Sequence, residues 1–78
     1  MKELEMPRPI QLLDVVALTE DLPSCHLNRG QVGTVVECLA AGHFEVEFSD
    51  NQGRTYAQLA VPENKLMVLH HQPSLVTT

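Results

Sequence analysis

The chain is short, acidic and poor in aromatic residues. It has 78 residues, of which 44% are apolar and 4% aromatic, with five basic and ten acidic side chains. A small-molecule cavity typically needs roughly 300–1,000 Å³, which so small a core cannot spare, so we expect no enzyme. Nucleic-acid binding needs a basic stripe, and the Lys and Arg residues here are scattered. The acidic balance favours a protein partner that is neutral or basic.

Cysteine content and hydropathy predict a cytoplasmic protein. Cys25 and Cys38 are the only cysteines, and neither a secretory signal nor a long apolar run is present. We therefore expect no membrane segment and reduced thiols, although a bridge between the two cysteines stays open. The oligomeric state also stays open, because an exposed edge strand can pair two copies.

The sequence predicts a flexible N-terminal arm, one compact unit and a flexible C-terminal tail. The arm, residues 1–9, holds two prolines and mixed charges, and the tail, residues 72–78, has no pattern. The unit, residues 10–71, begins with a strand around residues 14–18, since this stretch is rich in Leu and Val. An amphipathic helix is the weaker alternative, because no capping residue precedes it.

Four further strands are predicted in the unit. The β-branched run Thr34–Val36 favours a pleat over a helix. In residues 43–49, apolar side chains alternate with Glu45 and Glu47, which places one face in the core and one in water. Asp50 and Gly53 suit a tight hairpin. The predictions are a loop at 19–30, strands at 31–39, 43–49 and 55–61, a 3-10 turn at 62–65, and a strand at 66–70.

These elements predict an all-β fold, a single small SH3-like five-stranded barrel. Its long first loop and the short 3-10 turn before the last strand are typical of that architecture. A five-stranded OB-type barrel is the rival, but it usually has a helix between its third and fourth strands. Residues 49–55 leave no room for such a helix.

Four segments of the unit carry a resemblance to a known family. They are Asp14–Val16, Glu20–Pro23, Gly30–Val36 and Glu45–Asp50. Over roughly residues 12–69, the chain resembles a family of very short bacterial proteins, frequent in cyanobacteria, that is classified only as a domain of unknown function. The resemblance implies an SH3-like barrel and no particular activity.

The stretch RGQVGTVVE resembles the glycine turn that enters a strand in RNA-associated SH3-like domains. There, basic residues around the turn meet RNA, whereas Arg29 here stands nearly alone ahead of several glutamates. We interpret Gly30 and Gly33 as architectural residues at the point where the chain leaves the loop and enters the second strand. They are expected to allow a turn or bulge and close packing of the strands. Val32 and Val35 are expected to enter the core.

Metal ligation and catalysis find little support in the sequence. Zinc sites usually show a close pair of ligands, and no convincing set of four is present. Adjacent side chains in an extended loop point apart, which argues against a thiolate–imidazole pair. We therefore predict no catalytic residue, metal or cofactor, and interpret Cys38 as a small core or strand residue. The side chains considered were Cys25, His26, Cys38, His43, His70 and His71.

The best candidate for binding is the acidic first loop. In SH3-like barrels this loop flanks the groove where peptides dock. We predict that it forms a partner-binding surface with the acidic face of the third strand and one aromatic side chain. The alternative is that the loop only folds onto the barrel and that the glutamates keep the strand soluble. The predicted residues are Glu20, Asp21, Leu22, Glu45, Glu47 and Tyr56.

The leading hypothesis is therefore a non-enzymatic, regulatory protein-binding module that uses an acidic loop and strand face. One specific version is an antitoxin-like neutraliser of a basic partner protein, since short acidic proteins suit that role. The alternative from another class is a nucleic-acid-binding glycine-turn barrel.

Overall fold

A computed structural model describes residues 9–73 of the chain. Most of the predicted arm and tail, residues 1–8 and 74–78, lies outside the described residues. Within the described part, five strands and two 3-10 turns form the secondary structure, and no α-helix is present. The elements are β1 (Val15–Leu18), a 3-10 turn (Pro23–Cys25), β2 (Val32–Cys38), β3 (His43–Ser49), β4 (Thr55–Pro62), a second 3-10 turn (Glu63–Lys65) and β5 (Leu66–Val68).

All five strands join one antiparallel sheet. Its strand order is β4-β3-β2-β1-β5, so β2, β3 and β4 form a meander and β5 returns to pair with β1. The all-β prediction with five antiparallel strands is confirmed. β4 and β5 are the edge strands, and within residues 9–73 no ladder joins them to close the predicted barrel.

The strand bounds agree with the sequence reading to within one or two residues. β3 occupies the predicted residues, β1 begins at Val15, and β5 ends at Val68 rather than at residue 70. The predicted loop at 19–30 contains the first 3-10 turn and an isolated bridge between Leu22 and Leu27. A long loop in a small domain is thus folded back on itself, which gives its backbone groups partners.

One face of the sheet, the core face, carries the hydrophobic core. Residues from all five strands and from the flanking loops form one cluster of buried apolar side chains. No helix covers this face within residues 9–73, so the sheet must curve for its strands to contact one another across the core. The members are Ile10, Val16, Leu18, Leu27, Val35, Phe44, Val46, Phe48, Val61 and Leu66.

Val32 lies outside this core, so its predicted position is wrong. Its side chain is 46% exposed, whereas Val35 is fully buried. Side chains alternate along a strand, and because Gly33 and Val35 face the core, Val32 faces the opposite side. Cys38 is likewise exposed, and is thus a strand residue rather than a core residue.

Gly30 and Gly33 serve different purposes. Gly30 has φ +92°, in the left-handed region that favours glycine, and it ends the loop as predicted. Gly33 lies inside β2, where a Cβ atom would be 2.6 Å from Val46 Cγ1 and 2.9 Å from the backbone oxygen of Glu47. The absence of a side chain at Gly33 therefore allows β3 to pack closely against β2.

The hairpin between β3 and β4 is held by Asp50, as its sequence indicates. Asp50 Oδ1 accepts hydrogen bonds from the backbone N–H groups of Arg54 and Gln52, each at 2.9 Å. Asp50 Oδ2 accepts one from Arg54 Nε at 3.2 Å. The Arg54 backbone N–H, followed by the Gln52 N–H and the guanidinium, lowers the pKa of the Asp50 carboxyl. Gly53, at φ +81°, completes the turn.

Candidate partner-binding surface

The strand register determines which side chains are neighbours on the face opposite the core, here called the outer face. Residues directly opposite each other in an antiparallel pair point to the same side of the sheet. One row therefore runs across β4, β3, β2 and β1 as Gln58, Glu47, Thr34 and Val15. Leu69, the residue that follows β5 in the chain, adds to this row beside Val15. Its N–H donates to the Val15 carbonyl at 2.9 Å.

Three carboxylates on this face, Glu37, Glu45 and Glu47, form what we call the acidic strip. A bulge after Val35 shifts the register of β2, so that Glu37 rather than Val36 lies opposite Glu45. Like charges placed directly opposite each other destabilise a sheet. None of the five strands of residues 9–73 contains a Lys or Arg that would offset the acidic strip.

Within residues 9–73, Glu45 and Glu47 of the acidic strip accept hydrogen bonds from neutral groups of the neighbouring strand. Thr55 Oγ1 donates to Glu47 Oε2 at 2.8 Å, and Gln58 Nε2 donates to Glu45 Oε2 at 3.3 Å. Glu45 and Glu47 are half-buried. These bonds orient Glu45 and Glu47 through neutral donors rather than through cations.

Beside the acidic strip lies an apolar area, here called the outer patch. Val32 on β2, Ala17 on β1 and Met67 on β5 lie opposite one another in a single row. Met67 is 52% exposed, and Ala17 between its neighbours is only 4% exposed. Val15 and Leu69, from the row described above, complete the patch. None of the five belongs to the core cluster or packs against it.

The loop residues predicted to bind a partner also stabilise the loop. Asp21 Oδ1 accepts a hydrogen bond from the Arg29 backbone N–H at 2.8 Å. Leu22 packs against the core and forms the bridge with Leu27, which agrees with the alternative that this segment folds the loop onto the sheet. Glu20 is exposed.

Tyr56 lies apart from the acidic strip. A bulge in β4 occurs where Thr55 pairs with Ser49, and Thr55 is the residue that faces Glu47. The Tyr56 ring instead lies 6.4 Å from the ring of Phe48, a core residue, measured between centroids. Its hydroxyl accepts a hydrogen bond from Gln31 Nε2 at 2.9 Å, next to the base of the long loop.

The six predicted residues thus fall into two groups. Tyr56 is bonded to Gln31, which adjoins the loop that holds Glu20, Asp21 and Leu22, whereas Glu45 and Glu47 lie on the outer face. Leu18 and Gln31, at the two ends of the loop, are bonded together next to Val32. Glu37 lies at the other end of β2, about 16 Å away by strand rise. The outer patch therefore occupies the space between the loop and the far end of the acidic strip.

Sequence reasoning did not find Glu37 or the outer patch. The position of Glu37 depends on a bulge, and bulges leave no distinct signal in a Val-Val-Glu stretch. The exposed apolar row is visible only once the pairing of β1 with both β2 and β5 is known. Alternation in β2, with Gly33 facing the core, is the one signal from which the outward position of Val32 follows.

The described residues contain no gathered metal ligands. Within residues 9–73, no three His, Cys, Asp or Glu side chains lie close enough together to hold a metal ion. Cys25 and Cys38 are both free and exposed. An open depression of about 540 Å³ lies beside the second 3-10 turn, and Glu63 is its only ionisable side chain.

Fold and surface together define a small all-β domain, one antiparallel sheet with a core face and an outer face that is part acidic and part apolar. The chain belongs to the family described as a domain of unknown function (DUF4926), whose profile matches residues 12–68. Comparisons with curated proteins and with solved structures gave no match. Across residues 9–73, no helix has the length and apolar character needed to cross a bilayer.

Proposed function

We propose that this chain is a non-enzymatic protein-binding module with an SH3-like barrel fold, which binds a basic partner protein through its acidic strip. The strand order supports the barrel, because β1 lies between β2 and β5 and a long loop joins β1 to β2. The single core cluster supports it too, because one face of a helix-free sheet encloses that core.

The observation that carries the binding proposal is the pairing of Glu37 with Glu45 on a face whose strands contain no Lys or Arg. The pair costs stability in the isolated protein, and that cost is removed when a partner brings positive charge to it. Glu47 lies on the same face, directly opposite Thr34, and Thr34 in turn lies opposite Val15 of the outer patch. Glu20, exposed on the long loop, supplies a further negative group for a partner that extends from the outer face to the loop.

Quantitative affinity purification tests this proposal. The wild-type protein and a variant with Glu37→Gln, Glu45→Gln and Glu47→Gln are used as baits in a nuclease-treated lysate of the native host. We expect a Lys- and Arg-rich protein that the wild type retains and that the triple variant loses by about tenfold, since three partly exposed charges each contribute a few tenths of a kcal/mol or more.

Glu63→Gln is the matched control, because it removes one carboxylate from the second 3-10 turn and leaves the sheet unchanged. Retention of the same proteins by wild type and triple variant, or retention of none, contradicts the proposal. An antitoxin-like neutraliser is a special case in which the retained protein is toxic alone and inactive in the complex.

The nucleic-acid alternative has less support, because Arg29 lies on the loop and the strands carry no Lys or Arg. Salt-dependent retention of the purified protein on RNA or DNA is the result that favours it. Bacterial origin and a cytoplasmic location stay predictions from the sequence.

A further inference from the structure

We propose that the outer patch is the docking site for an amphipathic helix of a partner protein, whose apolar stripe is flanked by Lys and Arg. This inference rests on the proposed function, because the acidic strip on the same face supplies the partners for those cations. It adds the surface that contributes apolar contact and the kind of segment that fits there.

The outer patch is an exposed apolar area of the kind that marks a binding interface. Ala17 is 4% exposed, and the strand register places it between Val32 and Met67 on the outer face. Those two flanking side chains remain about half exposed. Val15 and Leu69 form a second apolar row beside the first, so the exposed area is contiguous rather than a set of isolated side chains.

The dimensions of the outer patch match one helix. The patch spans the three strands β2, β1 and β5, which at about 4.8 Å per strand gives a width of about 10 Å between the outer strands. An α-helix with its side chains is about 10–12 Å across. The two apolar rows lie two residues apart along each strand, about 7 Å, which accommodates side chains from successive turns of a helix.

The negative charge of the acidic strip determines which side chains can flank the apolar stripe of the helix. The register places Glu47 two strands away from Val15, about 10 Å across the sheet, with Thr34 between them. A Lys or Arg on the flank of a helix seated over Val15 reaches that distance with its long side chain. A helix with acidic flanks is repelled.

Charge also argues against a second copy of this chain as the occupant. Two copies that meet through their outer patches bring their acidic strips to the same interface, and each copy has a net charge of −5. Repulsion between two such faces opposes association of the copies, whereas a basic segment is attracted by the same negative charge.

Two synthetic peptides of 18 residues test the inference on the full-length protein. Both carry the same number of lysines at the same helix positions. One has leucines at i, i+3, i+4 and i+7 spacing, and the other has serine in place of each leucine. Each is titrated into the ¹⁵N-labelled protein, and affinities are obtained from the amide shifts.

We expect the leucine peptide to bind about tenfold more tightly than the serine peptide, with amide shifts in β1, β2 and β5. The double variant Val32→Ser/Met67→Ser is expected to weaken leucine-peptide binding by about tenfold while leaving serine-peptide binding unchanged. Tyr56→Ser is the matched control, because Tyr56 is 47% exposed but lies towards the core side of the sheet.

The outcomes separate the two proposals. Equal affinity for both peptides, with shifts confined to the acidic strip, overturns the outer patch as a docking site and leaves the proposed function standing. Loss of binding in the triple Gln variant, but not in Val32→Ser/Met67→Ser, has the same meaning. Failure of the leucine peptide to bind overturns this inference, and so does a dimer in sedimentation velocity that Val32→Ser/Met67→Ser dissociates.

Discussion

The two faces of the one sheet differ in how closely their side chains are constrained. On the core face, Val16, Val35, Val46, Phe48 and Val61 are completely buried, and even a glycine is required where β2 meets β3. The outer face of the same strands holds exposed apolar side chains and opposed carboxylates. Burial thus accounts for the residues of the core face, but not for the exposed residues of the outer face. This contrast is what points to a partner.

Phe48→Ala is expected to cause the largest loss of stability. Phe48 is fully buried among residues of several strands, and removing a buried aromatic side chain typically costs about 3–5 kcal/mol. Met67→Ala, on the outer face, is expected to change the free energy of unfolding by less than about 0.5 kcal/mol. Urea denaturation of both variants measures the difference, and similar values for the two contradict the contrast between the faces.

Gly33→Ala is expected to rank next. The added methyl group meets the Glu47 backbone oxygen and Val46 Cγ1 at less than 3.0 Å, and the backbone atom cannot move without disturbing β3. We expect a loss of about 1–3 kcal/mol, as for other overpacked sites.

Gly30→Ala separates packing from backbone conformation. Nothing lies within 4 Å of a Cβ atom at Gly30, so only its φ of +92° opposes a side chain there. A loss of about 1 kcal/mol is expected in thermal or urea unfolding. A larger loss for Gly30→Ala than for Gly33→Ala shows that close packing of β2 against β3 is not what selects glycine.

Glu45→Gln is expected to have a small effect on stability, of opposite sign to that of the glycine substitutions. Glutamine keeps most of the shape of Glu45 and removes its repulsion with Glu37, so stability is expected to rise by about 0.2–1 kcal/mol at low salt. Because salt screens charges that are partly exposed, the gain is expected to shrink at high ionic strength. Glu63→Gln serves as the control, and equal or lower stability of Glu45→Gln shows that the paired carboxylates do not repel.

Local patterns in the sequence were sufficient for much of the fold. Alternation in residues 43–49 predicted β3 and its buried face, because a period of two is a direct consequence of strand geometry. Asp50 and Gly53 predicted the following hairpin through the bonds that a carboxylate offers to turn amides and the freedom of glycine at positive φ. Val32 and Val35 were both predicted to enter the core, although residues three positions apart in a regular strand face opposite sides.

The candidate surface was only partly predictable. Glu45 and Glu47 were found because they share a strand, and their spacing follows from one local pattern. Glu37 and Met67 reach the same face through a bulge in β2 and through the return of β5 to β1, which are contacts between distant parts of the chain. Tyr56 was grouped with the glutamates, yet a bulge in β4 places it beside Phe48.

The sequence by itself determined the all-β class, the order of the strands along the chain and the hairpin, since these depend on alternation, β-branching and turn residues within a few positions. Only the tertiary structure decided which carboxylates lie together and that an apolar row is left uncovered beside them. The physical reason is that register, bulges and the pairing of β1 with β5 depend on how distant strands pack over a shared core. The same register, bulges and pairing also determine which side chains lie together on the outer face.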